Sequence, residues 1–595
     1  MPDITLINPP IGQDAGNHPL PYGLWQLASF VKARGFAPAI LDLNFIWRKQ
    51  HADYDALKML VLDVDSPTVG FTCMGNNFPN ALEFALELKT ARPDISIVFG
   101  GPHVSLIGED LLRNYACVDY VVVGEGEQTL AEMLGTSNTE EWNNLPGVLS
   151  RNRPLVPRPL MPSFDEIPDL DLDLVPWPSY LEPGIREHFA FPLLAGSGCP
   201  FTCTFCSTSV MWERRFRVKS PRRLVCEMQR IAAETGCRRF DLIHDIFTAN
   251  KRYVGEFCSE AQGKDLRWLC SSRIDGLDAE EIVRISSAGC AGVFFGVESA
   301  SPTIQKVVGK RLKVDRILPT LETCVKNGVD CVCSTIFGFP QETWADISAT
   351  AQLCIAARSA NVGRANMHLL MALPGTEIFR TAKLAEKIED RDLQRSSLPI
   401  KTDRSVAWIQ QHPKLFSAFR WVQHDSISKD EMFSMVSWGS HLATHPESLR
   451  HVLQHCNGDI RRAIQVLGRQ SSSDDLREST LEHALQDSLV TGLREIFQEE
   501  ERLARILKIY RRKYVARDQR LSYWLSLDVT KKYFLYEVAA DAVTINIYQL
   551  NQQESRQWEA HEGASALTNE DFRTLGACWP VQLICQKPRR QYAVH

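Results

Sequence analysis

Phe191-Pro192-Leu193-Leu194-Ala195-Gly196-Ser197-Gly198-Cys199-Pro200-Phe201-Thr202-Cys203-Thr204-Phe205-Cys206 runs from a short apolar strand into a glycine-rich loop whose three cysteines are spaced C-x-x-x-C-x-x-C. Five further strand patterns follow, at Phe240 to Asp245, Arg267 to Ser271, Gly292 to Val297, Val329 to Phe337 and Asn366 to Met371, separated by stretches of helical length. Six such units predict a parallel, partial (β/α)6 barrel over residues 191–394. The cysteine loop then stands at the C-terminal end of its first strand, where chemistry belongs in such folds.

Upstream, residues 1–145 alternate strands and helices in the same way. Strands are expected at Asp3 to Asn8, Ala39 to Leu43, Thr68 to Cys73, Ile95 to Phe99 and Tyr120 to Val123, with helices at Leu24 to Arg34 and Asn80 to Lys89. Nearly continuous apolar runs are buried on both faces, so this sheet reads as parallel and doubly wound, a Rossmann-like α/β domain. Ligands of such sheets sit at the carboxyl ends of the strands. Those ends carry Asn8-Pro9-Pro10, Thr72-Cys73-Met74, Gly100-Gly101-Pro102-His103 and Gly124-Glu125-Gly126, mostly small or turn-forming residues that let a large flat ligand approach the backbone. The simpler alternative is that these glycines only make turns.

Residues 146–190 read as a linker, with its Pro- and Asp-rich part at Pro162 to Glu182. From 395 to 595 a mainly helical domain is expected. It includes a long helix from Leu489 to Val515 and two strand-like segments, Tyr523 to Leu527 and Val543 to Tyr548. A basic face of Arg502, Arg505, Lys508, Arg511, Arg512, Lys513 and Arg517 is either a solvated helix face or a dock for an anionic substrate.

The 595 residues carry 66 Lys and Arg against 72 Asp and Glu, a net charge of −6, so no basic excess invites nucleic acid or an anionic membrane. The beginning Met1-Pro2-Asp3-Ile4-Thr5 lacks a secretory pattern, and no run of 18 apolar residues occurs, so a cytoplasmic location is expected. In a reducing compartment the 17 cysteines are buried thiols or metal ligands rather than disulfides. Most are scattered singly, which sets the triple at Cys199, Cys203 and Cys206 apart. Tetrahedral zinc would want a fourth nearby ligand, and the next cysteine, Cys226, falls in a helical pattern. Three thiolates on a four-iron cluster instead leave one iron open to an exogenous ligand.

With Phe205 in the aromatic place before its last cysteine, the loop resembles that of the radical S-adenosylmethionine superfamily. The likeness extends through Phe240-Asp241-Leu242-Ile243-His244-Asp245, Ser271-Ser272-Arg273-Ile274-Asp275, Gly296-Val297-Glu298-Ser299 and Phe337-Gly338-Phe339-Pro340. It implies a 4Fe-4S cluster on the three cysteines and S-adenosylmethionine on the open iron, near Phe205, Arg273, Gly296, Glu298 and Phe337. The N-terminal domain, with Ile7-Asn8-Pro9-Pro10, Gly23-Leu24, Gly100-Gly101-Pro102-His103 and Val123-Gly124-Glu125-Gly126-Glu127, is similar to the cobalamin-binding domain of one subclass of that superfamily. The likeness implies cobalamin against Asn8, Pro9, Pro10, Thr72, Cys73, Met74, Gly100, Gly101, His103, Gly124, Glu125 and Gly126.

The D-x-H-x-x-G motif that supplies a histidine to cobalt is absent from residues 1–145, which leaves Cys73 and Met74 nearest the lower corrin face. His103 reads either as a ligand or as a turn histidine holding backbone. The resemblance implies C-methylation of a small-molecule or peptide substrate by way of methylcobalamin, with a reductant such as flavodoxin or ferredoxin. Rearrangement or cyclisation, polar methyl transfer, and a non-catalytic cobalamin sensor or carrier are the rival readings.

Overall fold

All five residues of the strand β1 (Ile4–Asn8) are buried, as a continuous apolar run between two helical layers should be. Its neighbours are β2 (Pro38–Asp42) and β3 (Thr68–Thr72), followed outward by β4 (Ser96–Gly100), β5 (Tyr120–Val122) and β6 (Val148–Ser150) in the order β2-β1-β3-β4-β5-β6. The first five are parallel, and β6 closes the edge antiparallel. Because the chain order reverses between β1 and β3, their carboxyl ends splay apart and open a crevice. Helices Tyr22–Lys32 and Gly126–Leu134 cover one face of this sheet, while Tyr54–Leu62, Phe78–Ala91 and Pro102–Asn114 cover the other, each with its own apolar core.

The computed structural model describes residues 1–11, 20–181, 189–359, 362–394, 398–424, 426–444, 453–454 and 456–468, together with the backbone of five later strands.

The second sheet holds β7 (Phe191–Leu194), β10 (Arg239–Ile243), β11 (Arg267–Arg273), β12 (Cys290–Glu298), β13 (Asp330–Phe337) and β14 (Arg364–Leu369), all parallel and neighbouring in chain order. Between β7 and β10 lies a two-strand ribbon, β8 (Gly196–Ser197) against β9 (Arg217–Val218), which stiffens the entry to the cysteine loop. The alternation of each strand turns Phe240, Trp268 and Phe295 into the core beneath the helices, where Phe257 and Trp268 meet edge to face at 5.2 Å.

The segment expected as a linker is ordered where it is described. Short 3₁₀ turns at Phe164–Glu166, Leu172–Leu174 and Trp177–Tyr180 give it no helix, yet Phe164, Ile167, Leu170 and Val175 are buried. Trp25 Nε1 donates to Asp171 O, and Arg223 and Arg230 reach Asp169, so the strap is tied to both domains. Residues 398–422 return to the first sheet. There Asn80 and Ile400 exchange two hydrogen bonds, Arg404 pairs with Glu87, and Phe416 packs on Phe78 at 5.0 Å. Both sheets accordingly belong to one compact unit, Met1–Phe433, and the boundary expected near residue 395 falls inside it.

Residues Ser434–His595 form the second unit. After helix Ile460–Gly468 comes an antiparallel sheet of β15 (Leu507–Arg512), β16 (Leu521–Leu527), β17 (Lys532–Val538), β18 (Thr544–Leu550) and β19 (Tyr592–Ala593), in that order. This corrects the helix expected to reach Val515: Lys508, Arg511 and Arg512 stand on a strand paired with β16. Basic residues three and four apart imitate a helix face, while Ile509 and Tyr510 supply the β-branched and aromatic character that pairing favours. Arg502, Arg505, Lys513 and Arg517 lie outside the described residues. The two expected strands are both present, but β17 stands between them. Among the described residues no helix is long and apolar enough to cross a membrane.

Candidate active site

The cysteine loop is held by contacts that only its own glycines permit. A Cβ on Gly196 would lie 2.2 Å from Arg217 O, and one on Gly198, whose φ is +96°, would lie 1.7 Å from Arg215 O. Asp245, at the end of β10, accepts from Gly198 N at 2.6 Å and from Thr208 Oγ1 at 3.1 Å, which fixes both sides of the loop. Thr204 is tied by backbone and side chain to Val308 O and Val307 O.

Within this frame Cys199, Cys203 and Cys206 are half-buried free thiols. Burial pushes the Cys203 thiol up to about 11, against the pull of Lys310 and Arg273, and raises Cys199 as well. A metal that takes the charge would favour the thiolate of such thiols. Among the described residues no three His, Cys, Asp or Glu side chains converge on one point as around a single ion. A four-iron cluster asks for a different arrangement, with each thiolate on its own iron, and an all-thiol donor set of three suits it.

Beside the loop the strand ends gather charge. Arg273 forms two bonds to Asp275, at 2.9 and 2.8 Å, donates to Lys310 O at 2.8 Å, and stacks its guanidinium 4.2 Å over the Phe201 ring. Glu298 sits at φ +66°, a conformation uncommon for a residue with a side chain and one that concentrates at functional sites. Its carboxylate pairs with Lys310 Nζ at 2.6 Å, and the same ammonium donates to Gly296 O at 3.0 Å. A Cβ at Gly296 would come within 2.7 Å of both charged groups, so a side chain there would displace the pair.

Arg273, Gly296 and Glu298 are thus brought together at the loop. Phe205 packs on Phe339 at 6.0 Å beside it. Phe337 offers no side chain to the site. Strand alternation turns its ring into the core with no exposure, leaving only its backbone, which accepts from Leu370 N. Lys310 and Asp245 are the functional candidates that sequence reading misses. Asp245 lies in a quoted strand-end motif, whereas nothing local marks Lys310.

At the crevice of the first sheet, Gly100 and Gly124 have no atom within 4 Å of where a Cβ would stand. Met74 is 46% exposed there, while Cys73 is fully buried and its thiol is raised by desolvation. Of the two expected neighbours of the lower corrin face, Met74 alone presents its side chain. Gly101, at φ +111°, allows the backbone of Cys73 to approach as only glycine can, since a Cβ would stand 2.8 Å from Cys73 O. Bare backbone at the strand ends is what a large planar ligand needs, so the residues fit a corrin.

The side chains of Asn8, His103 and Glu125 bond within the chain. Asn8 donates to Asp42, and Pro9 and Pro10 are buried behind it. His103 donates from Nε2 to Leu415 O at 2.9 Å, and burial lowers its pKa to about 4, so in the first turn of the helix Pro102–Asn114 it is a neutral histidine holding the returning segment. Glu125 uses both carboxylate oxygens within the chain, one on Arg217 and one on Met161 N.

Residues 193–354 match the Radical SAM superfamily and residues 10–134 match the B12 binding domain. The chain is 30% identical over 394 residues to an uncharacterized methyltransferase of Pyrococcus horikoshii, covering 64% of this chain and 83% of that one. It is 25% identical to the anaerobic magnesium-protoporphyrin IX monomethyl ester cyclase of Rubrivivax gelatinosus, covering 64% and 69%. Among solved structures, the methyltransferase TsrM from Kitasatospora setae, determined with tryptophan and an S-adenosylmethionine analogue, shares the fold at a TM-score of 0.53. That likeness has 20% identity and covers 63% of this chain and 74% of that one. With both domain matches in order on one chain, and strand ends whose residues suit both ligands, the chain belongs to the cobalamin-binding radical SAM enzymes, whose cofactors are a 4Fe-4S cluster, S-adenosylmethionine and cobalamin.

Proposed function

We propose that this enzyme is a methyltransferase acting on an unactivated or weakly activated carbon of a small-molecule or peptide substrate. The observation that carries the reading is the presence of a three-thiol loop and an open, glycine-lined sheet crevice within one compact unit. Cys199, Cys203 and Cys206 would hold the cluster. Arg273, Gly296, Glu298 and Lys310 would receive the polar end of S-adenosylmethionine, and Thr72, Met74, Gly100, Gly101, Gly124 and Gly126 would bear the corrin. When bound, these groups supply a 5′-deoxyadenosyl radical for hydrogen removal and a cobalt-carried methyl group for transfer.

The protein's part is placement. The strained Glu298 and its Lys310 partner fix a charge pair beside the loop, and Asp245 fixes the loop itself. Positioning of this kind converts encounter into reaction. A reductant such as flavodoxin or ferredoxin would deliver electrons. The near balance of charge favours neither nucleic acid nor a membrane surface as a partner, and the reading places the enzyme in the cytoplasm.

The test is the by-product balance under reduction with a methyl-accepting substrate. 5′-Deoxyadenosine and S-adenosylhomocysteine should accumulate in about equal amounts, since each methyl group transferred needs one hydrogen removal and one remethylation. S-Adenosylhomocysteine alone would establish polar methyl transfer instead. 5′-Deoxyadenosine with an unmethylated product would place this enzyme with its cyclase relative, and neither by-product would return the sensor reading.

A further inference from the structure

Arg217 stands on β9, a two-residue strand with no part in the motifs that mark either cofactor site. Its guanidinium is nevertheless 7% exposed and crosses to the N-terminal domain, where Nη1 donates to Glu125 Oε1 at 2.5 Å. Nη1 also donates to Met161 O at 3.0 Å, and Met161 N donates to Glu125 Oε2 at 2.7 Å, so arginine, carboxylate and strap backbone form one closed set of bonds. Phe164 and Trp212 flank the guanidinium at 5.1 and 5.8 Å.

Both ends of this bridge lead directly to a cofactor site. Glu125 follows Gly124, one of the two bare positions at the crevice. Arg217 pairs with Ser197 across the ribbon, two residues before Cys199, and the Arg217 carbonyl lies against Gly196 and is contacted by His244 Nε2 at 3.3 Å.

A buried ion pair is a poor way to gain stability, because its desolvation penalty can exceed its Coulombic gain and a well-packed apolar pair often does as well. Among the described residues Arg217 Nε and Nη2 are buried with no hydrogen-bond partner, which raises that cost further. What a directional pair provides and an apolar one does not is a fixed distance and angle between the elements that carry it.

We propose that Arg217 is a positioning residue that, through Glu125, sets the separation between the cluster loop and the corrin crevice. This rests on the functional reading above, in which both groups act on one substrate. The full chain, reconstituted with iron, sulfide and hydroxocobalamin and then partly reduced, offers a readout independent of turnover. A reduced cluster nearby speeds the relaxation of cob(II)alamin, so its electron paramagnetic resonance signal resists saturation by microwave power, an effect that falls steeply with distance.

In the wild type the half-saturation power should exceed that of the Cys199→Ala/Cys203→Ala/Cys206→Ala protein, which has no cluster. Arg217→Met, and Glu125→Gln as an isosteric change that spares packing, should keep iron and cobalamin yet shift at least halfway toward the cluster-free value. Arg217→Lys, which keeps the charge, should recover much of the shift. Wild-type saturation behaviour in Glu125→Gln or Arg217→Met would overturn the proposal, as would loss of cobalamin in Glu125→Gln, which would make that residue a ligand contact. A wild type that takes up no cobalamin would bring down the functional reading and this inference together.

Discussion

Replacing Cys199, Cys203 and Cys206 together by alanine should take reconstituted protein from about four irons per chain to none and remove its brown absorbance. The three thiols are the only candidates in their loop, and they come from a frame that does not depend on them. Gly196 and Gly198 lie against β9 and its flank, and Asp245 bonds to backbone and to Thr208, so the loop should keep its path without its ligands. Cobalamin uptake, which draws on the other sheet, should be unaffected. Iron and corrin analysis of the same preparation reads both, and full iron retention in the triple variant would remove the cluster assignment.

The complementary result is expected at the crevice. Gly100 ends β4 without a left-handed φ and with no atom within 4 Å of an added Cβ, so Gly100→Leu meets no backbone strain and its Cβ meets no clash inside the chain. Its side chain would instead occupy the space assigned to the corrin. Overfilling a packed contact costs about 1–3 kcal/mol, which weakens cobalamin binding by roughly tenfold to a hundredfold. Titration with hydroxocobalamin followed by absorbance measures this, and iron content should not change. Unaltered cobalamin affinity would mean that the ligand lies elsewhere.

How much of this was legible in the sequence follows from the range of the forces involved. The strands of both sheets are local apolar runs, and β1, β3, β10 and β13 lie within a few residues of where the pattern puts them. The cysteine triple is equally local, since its spacing is its signal. The short antiparallel strand β6 escapes because its three residues lie inside the stretch read as a linker. Strand β15 escapes because its basic residues carry helical spacing, and only the pairing with β16 decides the matter.

Within the site, what sequence could not supply is which groups meet across long separations. Glu125 and Arg217 are 92 residues apart, and His103 and Leu415 are 312 apart. A glutamate in a strand-end turn beside glycines looks like a ligand contact until the arginine facing it is seen. Lys310 has no motif at all, and its role comes from the approach of its ammonium to Glu298 and Gly296. At Phe337 strand alternation buries the ring, so that motif position can offer a ligand only its backbone.

The central claim is that one chain carries both metal cofactors. Its most direct test is joint iron and cobalt analysis of the full chain after anaerobic reconstitution and removal of unbound material. The account predicts about four irons and about one cobalt per chain, in the same molecules. Iron without cobalt, or cobalt without iron, would contradict it.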